Sequence, residues 1–367
     1  MRLTLVGPAY PLRGGIAHHV YWLHKELIGR GHTVQTISFR KLYPKFLFPG
    51  RTTVDTSNLK LDADALALLD PLSPATWFEA FRTVRDFDPC AAVIEWWNPF
   101  FSPCLGTLAR LINRADIKCI VECHNVLPHE KSLLDLPLLS YAFSPVEFFI
   151  THSAKDRDDL YQIVTPGKTG VAPLPEVSEF ASTHTSDRSG RTVLFFGIVR
   201  KYKGLDVLME AMAKVPAQID CNLIVAGEFY ESAERYRELA RHLGIEGRVR
   251  IEDRYIPNED VPALISKVDV LVLPYLSATQ SGVARIALAN NLPIIAARTG
   301  GLIEVVREGV NGLLFEPGDT DALAEKIVRY FTQGMGPRFA ANIKDSRRES
   351  KGSELADLIE EMADTQV

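Results

Sequence analysis

The feature that most constrains this chain is an alternation that runs, stops and starts again. Short apolar runs at 3–7 (LTLVG), 33–39 (TVQTISF), 91–97 (AAVIEWW), 118–124 (KCIVECH) and 148–153 (FFITHS) alternate with segments of helical periodicity. Runs that are short and apolar throughout predict strands covered on both faces. The segments between them have helix signals. Ser73 is placed to cap a helix with Pro74 at its first position and Pro89 at its end, and Ile16, Val20, Leu23 and Leu27 form a stripe closed by Gly31. Ser153 with Asp156, and Asn258 with Glu259, mark further helix starts. From 171 to 191 the chain is polar, rich in Ser, Thr and Pro, and without period. The alternation then resumes with runs at 192–197, 221–228, 249–253, 270–276, 293–297 and 312–317. Alternating strand and helix means a parallel sheet with helices on both faces. The expectation is two doubly wound, Rossmann-like α/β domains facing a central cleft. They are placed at 1–172 and 192–345, with a linker at 173–191. Residues 346–367 form a C-terminal helix, for which packing back on the N-terminal domain is one option.

Bulk properties remove several function classes. The 367 residues are 46% apolar and 24% charged, in the range of globular domains, and the net charge of -5 argues against nucleic acid as a partner. None of the five cysteines falls in a CxxC pair, and Cys119 and Cys123 share one side of a strand, so buried reduced thiols suited to the cytoplasm are expected. The opening MRLTLVGPAY turns polar too early for a secretory segment, and no apolar run approaches the ~18–20 residues of a membrane span. The expected location is therefore cytoplasmic. Familiar chemical motifs fail in turn. The GKT at 167–169 has Gln162 where a phosphate loop needs glycine, no GxGxxG follows a strand, and no GxSxG elbow occurs. The DAD at 62–64 and DFD at 86–88 read as solvated acids. No metal and no cofactor are expected.

Three loops hold more promise, because ligands of doubly wound sheets bind at the carboxyl ends of strands. Gly14-Gly15 opens the first helix and lets backbone approach a ligand. Gly197 ends a strand, and Arg200, Lys201 and Lys203 crowd the turn that follows, a composition suited to a diphosphate or to a plain solvated loop. From Pro274 a loop carrying Thr279, Gln280 and Ser281 leads into an apolar helix whose first N–H groups need partners. A further glycine turn, RTGGLIEVV, follows the next strand and has Glu304 in its helix. Together these fit a nucleotide diphosphate attached to a hydroxylated ligand.

The segments GGIAHHVYWLHKELIGRGH, FGIVRKYKGLDVLMEA, VAGE and VLPY…SGVARIALANNLPIIAARTGGLIEVVREGVNGLLFEPGD resemble the family 4 retaining glycosyltransferases, most specifically from Phe195 to Asp319. The resemblance implies the GT-B fold and transfer of a sugar, with retention and without metal, from a nucleotide-sugar to a hydroxyl acceptor. That acceptor would be a saccharide or lipid-linked group in bacterial polysaccharide, glycolipid or glycoconjugate synthesis. It implies catalytic roles for His124, Arg200 and Lys203. The implied donor contacts are Gly15, Gly197, Arg200, Lys203, Glu228, Tyr255, Ile256, Thr279, Gln280, Ser281, Gly282 and Val283. Arg13, His18, Trp97 and Asn125 are the acceptor candidates. The chain departs from the family in three places: the usual arginine just after the strand glycine is Ile198, with Arg200 in its stead, the usual glycine-aromatic-glycine loop is Thr279-Gln280-Ser281-Gly282, and two usual glutamates, eight apart, are Ala278 and Ile286. The last of these keeps a non-catalytic nucleotide-sugar-binding module as an alternative, beside a nucleotide-sugar epimerase on the same fold. The stretch 39–51 mixes Arg40, Lys41, Lys45 and Arg51 with Tyr43, Phe46 and Phe48, which suits peripheral contact with an anionic inner-membrane surface and equally a plain surface loop.

Overall fold

A computed structural model describes residues 1–44, 50–128, 132–175, 180, 190–349 and 353–365. Lys45, Phe46 and Phe48 of the basic–aromatic stretch, and most of the expected linker, lie outside these residues. The chain divides into two compact units. The first comprises Met1–Thr56, Lys60–Pro175 and Gly352–Val367, and the second comprises Ser57–Leu59 and Glu176–Lys351.

The first unit is built on seven parallel strands, β1 (Arg2–Val6), β2 (Thr33–Phe39), β3 (Leu66–Leu69), β4 (Ala91–Trp96), β5 (Lys118–Cys123), β6 (Phe148–Thr151) and β7 (Lys168–Val171). They lie in the order β3-β2-β1-β4-β5-β6-β7. Helices α1 (Gly15–Gly29), α2 (Pro74–Phe87), α3 (Ser102–Arg114), α4 (Asp135–Phe143) and α5 (Ala154–Tyr161) connect them. One face packs Ile94, Trp96, Val121 and Phe149 against residues of α2, α3 and α4 such as Val84, Leu108 and Phe143. The opposite face offers Leu3, Leu5, Ala91, Val93, Ile120 and Ile150 to Leu23 and Leu27 of α1 and to Leu355, Ile359 and Met362 of the C-terminal helix, Glu354–Asp364. Each such buried aliphatic side chain contributes roughly 1.5–3 kcal/mol. Arg30 of the turn after α1 adds ion pairs to Asp357 at 2.6 Å and Glu360 at 3.3 Å. Strands β3 and β7 went unseen in the pattern. Both are four-residue sheet-edge strands, and the exposed Leu66 and the Lys168–Gly170 stretch give no buried run.

The second unit has six parallel strands, β8 (Thr192–Phe196), β9 (Asn222–Gly227), β10 (Val249–Asp253), β11 (Val270–Leu273), β12 (Ile294–Ala297) and β13 (Gly312–Phe315). Their order is β10-β9-β8-β11-β12-β13. The helices are α6 (Leu205–Lys214), α7 (Ala233–His242), α8 (Val261–Ile265), α9 (Gly282–Ala289), α10 (Leu302–Val305), α11 (Thr320–Thr332) and α12 (Gly336–Glu349). Val193, Phe195, Leu223, Val225, Val270 and Val272 form its core with Leu208 and Met212 of α6 and Leu323 and Ile327 of α11.

Both sheets reverse their strand order once. In the first unit the reversal lies between β1 and β4, and in the second between β8 and β11. These are the points at which a doubly wound sheet leaves a crevice for a ligand.

Candidate functional site

In the second unit the reversal brings together two of the loops singled out in the sequence. Gly197 follows β8 with φ near +102°, a conformation natural to glycine. An added Cβ there would lie 3.2 Å from Val283 Cγ2 and 3.6 Å from Lys203 Nζ, so the glycine sits between the cation and the start of α9. Gly204 has φ near +65°, and a Cβ on it would fall on the Pro274 carbonyl oxygen. The loops are tied directly, since Leu276 N–H donates to Tyr202 O at 2.7 Å. Lys203 Nζ lies over the Tyr275 ring at 5.5 Å and the Arg200 guanidinium over Tyr230 at 5.6 Å. Burial lowers the Lys203 ammonium below the ordinary lysine value, and the neighbouring Arg200 charge acts in the same direction. A polyanion would relieve that penalty.

The start of α9 is prepared for such a ligand. Ser281 accepts a hydrogen bond from Ala284 N–H and bonds to Tyr275, so both side chains are fixed where the helix begins. The glycine turn after β12 locks the same loop from the other side: Gly301 N–H donates to Thr279 O at 2.8 Å, and a Cβ on Gly300 would fall on the Ala278 carbonyl. Ala278 is buried, so its methyl occupies space in which a longer acid would need the turn to move. Glu228 is buried after β9, Tyr255 and the buried Ile256 follow β10, and all lie at the carboxyl edge of this sheet. Gly282 is exposed and Val283 half-buried at the mouth of α9.

The first unit supplies a different chemistry. Glu95 and Glu122 are paired residues on β4 and β5, and both are fully buried. His124 lies just past β5, His152 just past β6, and His19 reaches them from α1. His124 Nε2 is 2.6 Å from Glu95 Oε2, His19 Nε2 is 2.6 Å from Glu122 Oε1, and His152 Nε2 is 3.1 Å from the same Glu122 oxygen. The His19 and His124 rings meet edge to face at 4.8 Å. Gly7 makes room for this group, since a Cβ there would lie 2.5 Å from Glu95 Cγ.

Two carboxylates side by side in a dry site cannot both stay charged unless each is compensated. Burial, reinforced by the Glu122 charge, pushes the Glu95 carboxyl well up. Burial pushes Glu122 in the same direction, but the close approach of His19 and His152 outweighs it and holds that carboxyl well below its ordinary range. Burial and the charge of His19 hold His124 well below an ordinary histidine. The ligand atoms of His19, Glu95, Glu122 and His124 all lie within 4.8 Å of one another, so this donor set could gather a divalent ion. As they stand, His124 Nε2 and Glu95 Oε2 are hydrogen-bonded at 2.6 Å, and His19 Nε2 and Glu122 Oε1 are in contact at the same distance. Ligands ~2.1 Å from a tetrahedral ion would stay about 3.4 Å apart.

The other first-unit candidates are more scattered. Gly15 opens α1 and is exposed, and a Cβ at Gly14 or Gly15 would meet nothing within 4 Å. His18 points away from His19 and stands outside the cluster, with burial pushing it down to about 4 against the charge of Asp55. Trp96 is buried against Phe143, whereas Trp97 is half-buried and donates its indole N–H to Tyr43 Oη at 3.1 Å. Arg13 and Asn125 are half-buried in the loops after β1 and β5. Glu95, Glu122, His19 and His152 were not among the sequence candidates. The available signal was parity: the face that reads Ala91-Val93, Ile120 and Phe148-Ile150 continues to Glu95, Glu122-His124 and His152.

Two doubly wound parallel sheets, each with a single reversal, define the class: the chain has the two-domain GT-B fold. Residues 190–333 match the family described as Glycosyl transferases group 1. Over 96% of this chain, and 94% of its counterpart, the sequence is 23% identical to the N-acetyl-alpha-D-glucosaminyl L-malate synthase of Bacillus anthracis. Among solved structures, sucrose-phosphate synthase from Thermosynechococcus elongatus superposes with a TM-score of 0.78 at 18% identity, covering 98% of both chains. Anabaena HepE in complex with UDP superposes with a TM-score of 0.74, also at 18% identity, covering 99% of this chain and 98% of the other. These likenesses support glycosyl transfer as the class of activity. Among the described residues, no helix is long and apolar enough to cross a membrane.

Proposed function

We propose that this protein is a retaining glycosyltransferase of the family 4 type, which moves a sugar from a nucleotide-diphosphate donor to a hydroxyl acceptor. The observation that carries the reading is the seam at the reversal of the second sheet, where Lys203 adjoins Gly197 and the capped start of α9 and Arg200 stands in the same loop, over Tyr230. A cleaving glycosyl bond leaves charge on the diphosphate. Fixed cations and helix N–H groups aimed at that charge stabilise it with little reorganisation. On this reading these groups, rather than a metal, meet the diphosphate. Ribose and sugar hydroxyls are held by Thr279, Gln280 and Ser281, in place of the acids missing at 278 and 286. Tyr255 and Ile256 flank the base, His124 contacts the transferred sugar, and Arg13, His18, Trp97 and Asn125 serve the acceptor. The acceptor is a saccharide or lipid-linked group of cell-envelope synthesis. UDP is the first nucleotide to try, because HepE is a structural neighbour in complex with it.

The test is turnover and melting temperature across UDP-, GDP-, ADP- and TDP-sugars, with sugar and lipid-linked acceptors and a chelator present. One nucleotide that raises the melting point and releases its sugar supports the reading. Binding without turnover supports a binding module instead, and no binding overturns the assignment of the seam.

A further inference from the structure

We propose that Glu95 is a positioning residue for His124: its carboxyl group engages Nε2 of the ring and leaves the ring proton on Nδ1, which donates to an oxygen of the bound ligand. The geometry shows the pairing directly, and the charges around it decide which way the bond runs. Nε2 is committed to Glu95 Oε2 at 2.6 Å, and Glu95 is fully buried. The ring retains 9% exposure, so the nitrogen left for a ligand is Nδ1. The backbone is fixed as well, since His124 N–H donates to Trp96 O at 2.8 Å, one residue beyond Glu95.

Which nitrogen of a histidine carries the proton is decided by the bond the other one makes. In a neutral ring, an ionised Glu95 would hold the proton on Nε2 and leave Nδ1 an acceptor, able to take a hydroxyl proton but unable to donate to a phosphate or hydroxyl oxygen. A neutral Glu95 donates its own proton to Nε2, and the neutral ring then keeps its single N–H at Nδ1. The groups facing His124 are His19 from α1, Glu95 from β4, Glu122 from β5 and His152 from the end of β6. Glu122 is occupied by His19 and His152, so its negative charge is balanced there and none is required of the Glu95–His124 pair. The directions agree: burial and Glu122 push Glu95 toward its acid form, and burial pulls His124 toward its neutral form.

The inference rests on the transferase reading only for the ligand's identity, and the experiment separates the two. In the full-length protein with ¹⁵N-labelled histidine, His124 is assigned by loss of its signals in H124N. Wild type is expected to show the proton-bearing type of shift at Nδ1 and the lone-pair type at Nε2 near neutral pH. A proton on Nε2, or on both nitrogens, overturns the proposal whether or not any donor is turned over. In the activity arm, E95A is expected to lower kcat roughly ten- to a hundred-fold while the donor KM moves less than about twofold. E95Q, whose amide N–H can replace the acid proton, restores kcat to within about threefold of wild type. E95Q as impaired as E95A, or E95A as active as wild type, overturns it. Should E95A fail to fold, the wild-type spectrum and E95Q carry the test.

Discussion

The two sheet reversals have the same topology and opposite chemistry. At β8–β11 the chain gathers Arg200 and Lys203 with glycines and a helix start, and neither Ala278 nor Ile286 contributes an acid. Beside β1–β4 it gathers two carboxylates and three histidines, nearly all out of solvent. The fold supplies a crevice in both units, and the side chains decide what each can accept. In the second unit the charge is half-buried, and among the described residues no carboxylate forms an ion pair with Arg200 or Lys203. In the first it is balanced internally by pairs that need one another.

That contrast can be broken from either side. The largest effect is expected from K203A or R200A, which should reduce turnover by roughly a thousand-fold and abolish the melting shift given by the donor. A donor whose melting shift survives both changes would move the anion site away from this seam. Next is E122L. It removes the partner of His19 and His152 and should destabilise the protein by about 3–5 kcal/mol in urea unfolding. An unchanged midpoint would mean that the cluster is not internally balanced.

Two glycines test the backbone side of the comparison. G204A should cost more than G14A, because a Cβ at 204 meets the Pro274 carbonyl, whereas at 14 it meets nothing within 4 Å. Strain from positive φ, roughly 1–3 kcal/mol, applies to both, and only G204A adds the clash. Equal losses would show that the seam yields easily.

The smallest effects concern pH. The lowered Lys203 value means that, between it and the ordinary 10.5, the unfolded chain binds more protons than the folded one. Stability contributed there rises with pH, while affinity for a diphosphate falls across the same window, earlier than for an exposed lysine. K203R should flatten that alkaline fall. His18, pushed down to about 4 from 6.5, gives an acid counterpart in the first unit. Its contribution is full above 6.5 and is lost as pH falls toward about 4, and H18N should remove that slope from the unfolding profile.

How far the sequence led differs between the same regions. The second seam was legible because its signals are local: Gly197 with Arg200 and Lys203 lies within seven residues, and Thr279–Ser281 directly precedes its helix. The acid–histidine cluster was not, because its members come from four separate elements, and each alone looks like an ordinary polar residue at a strand end. The adjacent pair His18-His19 shows the difficulty, since the side chain that joins the cluster is the one left unselected. Only the strand register, Glu95 opposite Glu122 and Cys123 opposite Thr151, makes them neighbours. Likewise β3 and β7 needed a sheet edge to pair with before they could be strands.

The C-terminal helix sets an order of assembly. Its Leu355, Ile359 and Met362 cover the same face of the first sheet as Leu23 and Leu27, so that face is incomplete until Glu354–Asp364 has been synthesised. The second unit, which apart from Ser57–Leu59 is one continuous stretch, has all of its strands much earlier than that. Domains generally fold as units while the chain is made, and here the residues of the first unit are complete only after those of the second. One apolar face of the amino-terminal sheet is thus completed, beside α1, by a helix encoded some three hundred and fifty residues after its first strand.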